Sequence, residues 1–283
     1  MGTKREPTAR QMRLAVELRR LREAAGLSSR EAAALLDVNS VQISQIEAGT
    51  SGVSEQRLRR MAANYACADG EFIDGLAAMA TDRTQGWWEE YRGVLPAAYQ
   101  DLAELDHHAR FRNDVTVIHV PGLFQTEAYA RALFAYMNPE FPDSEVGLRV
   151  EHRMRRRVVI EGPDPIPYET VIHEAALRIS VAGRAATRAQ LTCILGMSEA
   201  DHITVRVIPF ALADFAGAGS TLVHLGGVVP QLDTVVRDAP HGTAFVDSDA
   251  QLEHFRKLFR RVKEAALPPQ QSRDLIHQLA KEL

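Results

Sequence analysis

The chain contains little cysteine and has no long apolar run. Its two cysteines, Cys67 and Cys193, stand far apart without a Cys-x-x-Cys partner. That spacing excludes a disulfide framework and indicates a reducing compartment. No apolar stretch approaches the roughly 20 residues that a membrane-spanning helix needs. The polar, basic start MGTKREPTARQMR has no apolar segment behind it. We therefore expect no signal peptide and a cytoplasmic protein.

Sequence motifs of catalysis and metal binding are also missing. The string HEAAL at His173 has Leu177 where a zinc-protease H-E-x-x-H needs its second histidine. The string GAGST at Gly217 lacks the lysine of a phosphate-binding loop and the third glycine of a dinucleotide loop. His107 and His108 are neighbours, which point about 100° apart on a helix, so solvated side chains are favoured over a metal site. No G-x-S-x-G occurs. We expect no enzyme, no metal and no cofactor.

What the chain does contain is enough apolar sequence for two domains and an uneven distribution of charge. It has 283 residues, 46% of them hydrophobic, and a net charge of −4. Residues 1–65 carry eleven Lys and Arg against seven Asp and Glu, which leaves −8 for the remainder. A basic N-terminal part on an acidic body is typical of a protein in which one domain contacts phosphates.

The first 80 residues predict an all-α domain. Gly26 stands where the first helix would end, and Ser28 with Glu31 forms a capping-box pattern for the second. Asn39 or Ser40 can cap the third. The five predicted helices are 8–25, 29–36, 39–49, 54–65 and 71–80. We predict this helical domain over residues 1–80, a linker over 81–86, and a second domain over 87–283.

The second domain alternates strand-like and helical segments. Strands are expected in VTVIHV, YETVIH, ITVRVIP, STLVHL, DTVVRD and TAFVD. Helices are expected at about 125–137, 143–160, 185–199, 249–264 and 268–282. This alternation indicates a mixed α/β domain, and the whole chain is predicted as an α+β multidomain protein.

The second and third helices fit either an ordinary packed hairpin or a DNA-reading helix-turn-helix. The turn between them is short, and Val38, Ile43 and Ile46 give the third helix one apolar stripe. Short polar side chains surround the rest of its first turns, as entry into a DNA groove requires. A glutamine such as Gln45 can pair with both N6 and N7 of adenine, and Val41 can contact a thymine methyl.

The string GLSSREAAALLDVNSVQISQIEAG resembles the phage-repressor or XRE-type helix-turn-helix over roughly residues 10–66. The family's closing S-x-I-E-x-G is matched by Ser44 to Gly49. The resemblance implies an ion pair between Arg22 and Glu47. Asp37 departs from the family by standing at a turn position where glycine is common, which predicts a slightly altered turn. The expected DNA-binding residues are Ser29, Arg30, Asn39, Ser40, Val41, Gln42, Ser44, Gln45 and Thr50.

From about residue 87 to the end, the sequence resembles the C-terminal domain of WhiJ-like actinobacterial regulators. The strings VPGLFQTEAYARAL, EHRMRRRVVI, IHEAALRISVAG, QLTCIL and ITVRVIPF carry the likeness. The resemblance implies a regulator, developmental or antitoxin-like, that is often encoded beside a small partner protein. Arg157 stands where the family usually has glutamine, which puts partner specificity in doubt.

Several clusters in this second domain admit more than one interpretation. An arginine-rich segment is interpreted as a solvated helix face, as a docking face for an acidic partner, or as a further contact with DNA. The docking candidates are Arg149, Arg153, Arg156 and Arg157. Trp87-Trp88 is interpreted as a packing anchor. His173-Glu174 is either a satisfied core pair or part of a polar pocket.

The sequence as a whole predicts a DNA-binding transcriptional regulator and leaves open whether it represses or activates. It is expected to bind double-stranded DNA as a homodimer on an inverted repeat and to be controlled by a small partner protein. The alternatives are a small-molecule sensor whose C-terminal domain binds a ligand, and a vestigial or active enzyme domain.

Overall fold

The computed structural model describes residues 6–213, 215, 217, 221–239 and 242–283. They fall into two compact units, one drawn from Met1–Leu105 and Val228–Leu232, the other from Asp106–Gly227 and Asp233–Leu283. Segment 81–86, the predicted linker, lies inside the first unit, and the predicted domain boundaries stay predictions. Within the described residues, no helix is long and apolar enough to cross a membrane.

Five helices open the first unit, and their ends follow the capping signals of the sequence. Thr8 and Ser28 each form a capping box, with Gln11 and Glu31 respectively. Asn39 caps the third helix through its side chain, which accepts from the N–H of Gln42. The helices are α1 (Ala9–Ala24), α2 (Ser29–Leu36), α3 (Ser40–Glu47), α4 (Glu55–Asn64) and α5 (Gly70–Thr81).

The core of this unit lies between the five helices. Leu18, Ile43, Leu58, Met61 and Leu76 are all fully buried there. Leu58 and Met61 lie on α4, and the other three lie on α1, α3 and α5. The apolar stripes predicted from the sequence therefore meet at one centre. The all-α N-terminal part of the predicted fold is confirmed.

After α5 the chain forms a 3₁₀ turn, Trp87–Tyr91, and then α6 (Ala97–His108). Trp88 and Tyr91 are buried, and the ring of Trp87 lies edge-on to both. This geometry agrees with a packing role for the tryptophan pair. The division between the two units falls within α6, a helix that the sequence pattern did not predict.

The second unit is built on a six-stranded sheet of order β3-β2-β1-β4-β5-β6. β1, β2 and β3 are parallel, whereas β4, β5 and β6 continue the sheet antiparallel. The strands are β1 (Phe111–Thr116), β2 (Tyr168–His173), β3 (Ile203–Ile208), β4 (Leu222–Gly226), β5 (Thr234–Ala239) and β6 (Gly242–Val246). The mixed α/β class predicted for this part is confirmed.

Helices cover both faces of the sheet. One face packs against α7, α11 and α13, and the other packs against α12 through Leu252, Phe255 and Phe259. The helices of this unit are α7 (Glu127–Met137), α8 (Asp143–Arg155), α9 (Val158–Glu161), α10 (Glu174–Arg178), α11 (Gly183–Met197), α12 (Asp249–Ala265) and α13 (Pro269–Glu282), besides a 3₁₀ turn at Gly122–Phe124.

Two predictions about this unit were wrong in detail. The first strand was expected at 115–120 but begins at Phe111 and ends at Thr116, because Arg112 and Asp114 are buried in it as an ion pair. The single helix expected at 143–160 is divided into α8 and α9.

Candidate nucleic-acid interface

Helix α3 is held by its apolar side and presents its polar side to solvent. Ile43 is fully buried and Ile46 is 2% exposed. Val38, at the turn before the helix, packs against the same core. By contrast, Val41 is 61% exposed, although its side chain is apolar. A solvent-facing valine on the first turn of this helix suits contact with an apolar group outside the protein, such as a thymine methyl.

The turn between α2 and α3 consists of residues 37–39, and Asp37 has left-handed backbone geometry with φ of 55° and ψ of 50°. Its N–H bonds the carbonyls of Ala33 and Ala34, which ends α2. The sequence predicted a slightly altered turn here, and Asp tolerates the left-handed conformation better than most residues do. The turn keeps the short connection that a helix-turn-helix requires.

Arg22 on α1 and Glu47 on α3 form a two-pronged ion pair. Arg22 Nε donates to Glu47 Oε1 at 2.6 Å, and Nη2 donates to Oε2 at 2.8 Å. The side chains are 8% and 6% exposed. Arg22 Nη1 also donates to the carbonyl of Leu27, and the bond to Glu47 raises the pKa of Arg22. The pair thus ties the C-terminal turns of α1 and α3 together in a place that excludes most water.

Tyr65, which the sequence did not single out, lies close to this pair. It is 4% exposed, and its hydroxyl is a buried polar atom without a hydrogen-bond partner among the described residues. Burial and the nearby charge of Glu47 raise its pKa to about 12. The sequence around Tyr65 gave no signal of this placement, because Arg22 and Glu47 are distant from it in the sequence.

The polar side chains expected to read DNA divide into two groups. Asn39 accepts from Gln42 N, Ser44 Oγ donates to the carbonyl of Ser40, and Thr50 Oγ1 donates to the carbonyl of Gln45. Those atoms already stabilise the helix and the loop after it. The side chains of Gln42 and Gln45 make no hydrogen bond within the described residues, and Gln45 is exposed. Their amides are therefore the donors and acceptors available for base edges.

The first turn of α2 carries two of the residues predicted to bind DNA, Ser29 and Arg30. Arg30 is exposed and Ser29 is partly buried in the first turn. Ser28 Oγ accepts from Glu31 N at 3.2 Å, which leaves the N–H groups of the two preceding residues for an outside acceptor. The Glu31 carboxylate accepts from Ser28 N at 2.8 Å and opposes a phosphate by its charge.

In the second unit, two of the four arginines expected to form a docking face, Arg149 and Arg156, are buried. Arg156 is 5% exposed and its Nε donates to Asp106 at 2.8 Å. Asp106 also accepts from Arg112, which in turn makes two bonds to Asp114 at 2.9 and 3.0 Å. The hydroxyl of Tyr168 donates to Asp114 at 2.8 Å. Two arginines and two aspartates balance in this buried network, which stabilises the sheet.

The other three candidate docking arginines also have internal partners. Arg149 is buried and stacks on the ring of Phe141 at 4.1 Å. Arg153 donates to Gln125 Oε1 at 2.6 Å, and Arg157 donates to the backbone carbonyl of Gln125 at 3.1 Å. Arg149 and Arg156 are too buried to belong to an exposed docking face, and for these two the expectation is corrected. Arg153 and Arg157 are partly exposed, and their docking role stays a prediction. The helical spacing of the arginines did not reveal which of them are buried.

His173 and Glu174 have architectural partners. His173 Nδ1 accepts from Ala175 N and caps α10. Glu174 accepts from the backbone N–H of Phe210 at 2.7 Å and from Arg178 at 2.6 Å. These contacts support the interpretation as a satisfied pair. Within the described part of the chain, no cluster of His, Cys, Asp and Glu has the arrangement of a metal site.

Comparison with known proteins agrees with this geometry. Residues 13–72, which include α2, the turn and α3, match a family described as a helix-turn-helix domain. The first unit therefore carries the fold of a DNA-binding regulator, whereas the finer assignment to XRE type and the relationship to WhiJ-like regulators stay predictions. No curated protein and no solved structure matches the chain. Residues 99–278, more than half of the chain, match the family described as a domain of unknown function, DUF5753, and the protein belongs to that family.

Proposed function

We propose that the protein is a sequence-specific transcriptional regulator whose helix α3 reads bases in the major groove. The observation that carries the proposal is the state of the α3 surface. Gln42, Gln45 and Val41 keep their polar and apolar groups uncommitted, while Ile43 and the Arg22–Glu47 pair fix the helix from behind. A rigid helix with free amides on one side can discriminate adenine from the other bases.

We further propose that the protein binds an inverted repeat as a homodimer. One recognition helix contacts only a few base pairs, and each mismatch costs about 1–3 kcal/mol, which is too little to select one site in a genome. Two recognition helices spaced by about 34 Å, one turn of DNA, roughly double that discrimination. The basic excess of residues 1–65 supports contact with phosphate, and the acidic remainder opposes indiscriminate binding.

The second unit is proposed to be the regulated part, controlled by a small partner protein. Support comes from the sequence likeness to WhiJ-like regulators. The proposal includes no catalytic step, no cofactor and a cytoplasmic location. The arginines buried in the second unit are not part of the proposed partner surface.

The DNA-reading proposal is tested by two substitutions with different expected effects. Gln45→Ala removes a base-reading amide and should weaken binding to the preferred site by about 1–3 kcal/mol, with relaxed sequence preference. Arg30→Ala removes a phosphate contact and should weaken binding to all sequences similarly. Gln278→Ala, which changes an exposed glutamine on α13, is the matched control and should have no effect. Unchanged sequence preference in Gln45→Ala would refute the proposed docking of α3.

A further inference from the structure

A pocket of about 270 Å³ lies within the first unit, behind the recognition helix. Residues from α1, the loop after α3, the end of α5 and α6 line it. Its floor is apolar and consists of Leu14, Leu18, Ile46, Val53 and Met79. Since one water occupies about 30 Å³ of the liquid, the space corresponds to roughly nine waters, or to a small organic molecule of about nine heavy atoms.

Two opposite charges line this pocket with spare bonding capacity. Arg10 makes one side-chain hydrogen bond within the described residues, a long one of 3.5 Å from Nη2 to Asp82. Glu104 is bonded to the side chain of Thr8, whereas its Oε2 is buried and has no partner among the described residues. Burial raises the pKa of Glu104 and lowers the pKa of Arg10. Arg10 thus has only this long ion pair with Asp82, and one carboxylate oxygen of Glu104 has no partner among the described residues, although both side chains are partly buried.

Arg10 and Glu104 do not satisfy each other. Their charges interact, yet no ion pair within 4.0 Å joins them in the described part of the chain. A molecule that carries a carboxylate and an ammonium group can complete both at once: a guanidinium binds a carboxylate by two parallel bonds, and a carboxylate accepts from an ammonium. The apolar floor between them suits an apolar side group.

We propose that the pocket binds a small zwitterion with an apolar side group, the chemical class of the apolar α-amino acids. Its carboxylate lies against Arg10, its ammonium group against Glu104, and its side group on the floor formed by Leu18, Ile46 and Val53. Neither charged group of the ligand is sufficient for binding alone, because the carboxylate compensates Arg10 and the ammonium group compensates Glu104.

The pocket adjoins the end of the recognition helix. Gly49 and Ser51, in the loop after α3, line it, and the N–H of Ser51 donates to the carbonyl of Gln45 at 3.2 Å. A ligand that orders this loop would change the affinity for DNA, and this effect rests on the proposed DNA-binding function. Ligand binding itself does not rest on it.

The test uses the full-length chain and L-leucine as the probe, at about 10 mM, with thermal unfolding followed by tryptophan emission. Both tryptophans, Trp87 and Trp88, belong to the first unit. Leucine should raise the melting temperature. Leucinamide lacks the carboxylate, 4-methylpentanoate lacks the ammonium group, and neither should do so. No shift with any of the common apolar L-α-amino acids would overturn the proposal, and so would equal shifts with leucine and its two analogues.

Two variants locate the site. Arg10→Gln and Glu104→Gln should each weaken leucine binding roughly tenfold or more in calorimetry. Arg19→Gln and Glu71→Gln change exposed residues outside the pocket, and they should bind as the parent protein does. Each variant is accepted only if its tryptophan emission shows a folded first unit. Parent-like leucine binding in both pocket variants would overturn the site.

The effect of leucine on DNA affinity is measured by DNA titrations with and without leucine. A leucine-dependent change in DNA affinity that both pocket variants abolish supports the coupling, and an unchanged affinity refutes it while calorimetry still decides the site. If the chain binds no DNA under either condition, the proposed function fails, and the pocket is judged by calorimetry alone.

Discussion

The ion pair between Arg22 and Glu47 gives a quantitative prediction for the first unit. Both side chains are less than a tenth exposed and the two bonds measure 2.6 and 2.8 Å, so the pair is desolvated and well aligned. Removal of one partner leaves a buried charge, which costs about 3–5 kcal/mol of unfolding free energy. Replacement of both partners by apolar residues of similar size is often neutral or stabilising.

The two single variants should not be equal. In Glu47→Leu, Arg22 retains the carbonyl of Leu27 and lies 3.7 Å from Glu23, so we expect the lower end of the range, about 3 kcal/mol. In Arg22→Met, the structure offers Glu47 no other cation among the described residues. We expect the upper end at neutral pH, about 5 kcal/mol. Because an unpaired buried carboxyl takes up a proton, this second cost should shrink as the pH falls.

The measurement is urea unfolding of the full chain, read by tryptophan emission. Both tryptophans belong to the unit that contains the pair, so the signal reports its unfolding directly. Arg22→Met/Glu47→Leu should unfold within about 1 kcal/mol of the parent protein, which gives a coupling of several kcal/mol. The matched control is the exposed pair Arg19–Glu23, which has a similar distance of 2.7 Å but should show weak coupling. Additive single effects, or singles that each cost less than about 1 kcal/mol, would refute the reasoning.

Three further changes in the first unit have expected outcomes that unfolding experiments can check. Tyr65→Phe removes a buried hydroxyl that has no partner among the described residues, so the free energy of unfolding should stay equal or rise by up to about 1 kcal/mol. A loss of more than about 1 kcal/mol would show that the hydroxyl makes a hydrogen bond. Asp37→Gly relieves a left-handed residue and should stabilise the domain by about 0.5–1 kcal/mol, unless the aspartate side chain itself orders the turn. Burial raises the pKa of the Glu104 carboxyl above its ordinary 4.5. The contribution of this carboxyl to stability is therefore fully present below pH 4.5 and is lost as the pH rises through the raised pKa. Glu104→Gln should remove this loss of stability. Identical profiles of unfolding free energy against pH for the variant and the parent protein would contradict the assignment of the loss to Glu104.

The helical first unit was predictable because its signals are local. Capping residues such as Ser28, apolar stripes such as that of Ile43 and Ile46, and the glycine at position 26 each act within a few residues of where they stand. Local signals of this kind fix where helices begin and end. The exposed surface of α3 followed from the same stripes, since the face opposite the buried one meets solvent.

The second unit was less predictable because some of its stabilising contacts are distant. Arg112 and Asp114 look like solvent-facing residues in the sequence, yet they are buried in β1 by Asp106 and Tyr168. A pattern of apolar residues cannot reveal a buried ion pair, and the start of β1 was missed for that reason. The candidate pocket was missed likewise, since Glu104 lies on α6 and meets Arg10 only in the folded chain.

The central claim is that this protein reads DNA sequence through α3. The most direct measurement is selection of bound sites from random DNA by the full-length protein, at about 0.15 M salt, where non-specific binding is weak. We expect enrichment of an inverted repeat with half-sites about one helical turn apart, and loss of that enrichment in Gln45→Ala. A selected pool without any sequence preference, and equal for the parent and the variant, would contradict it.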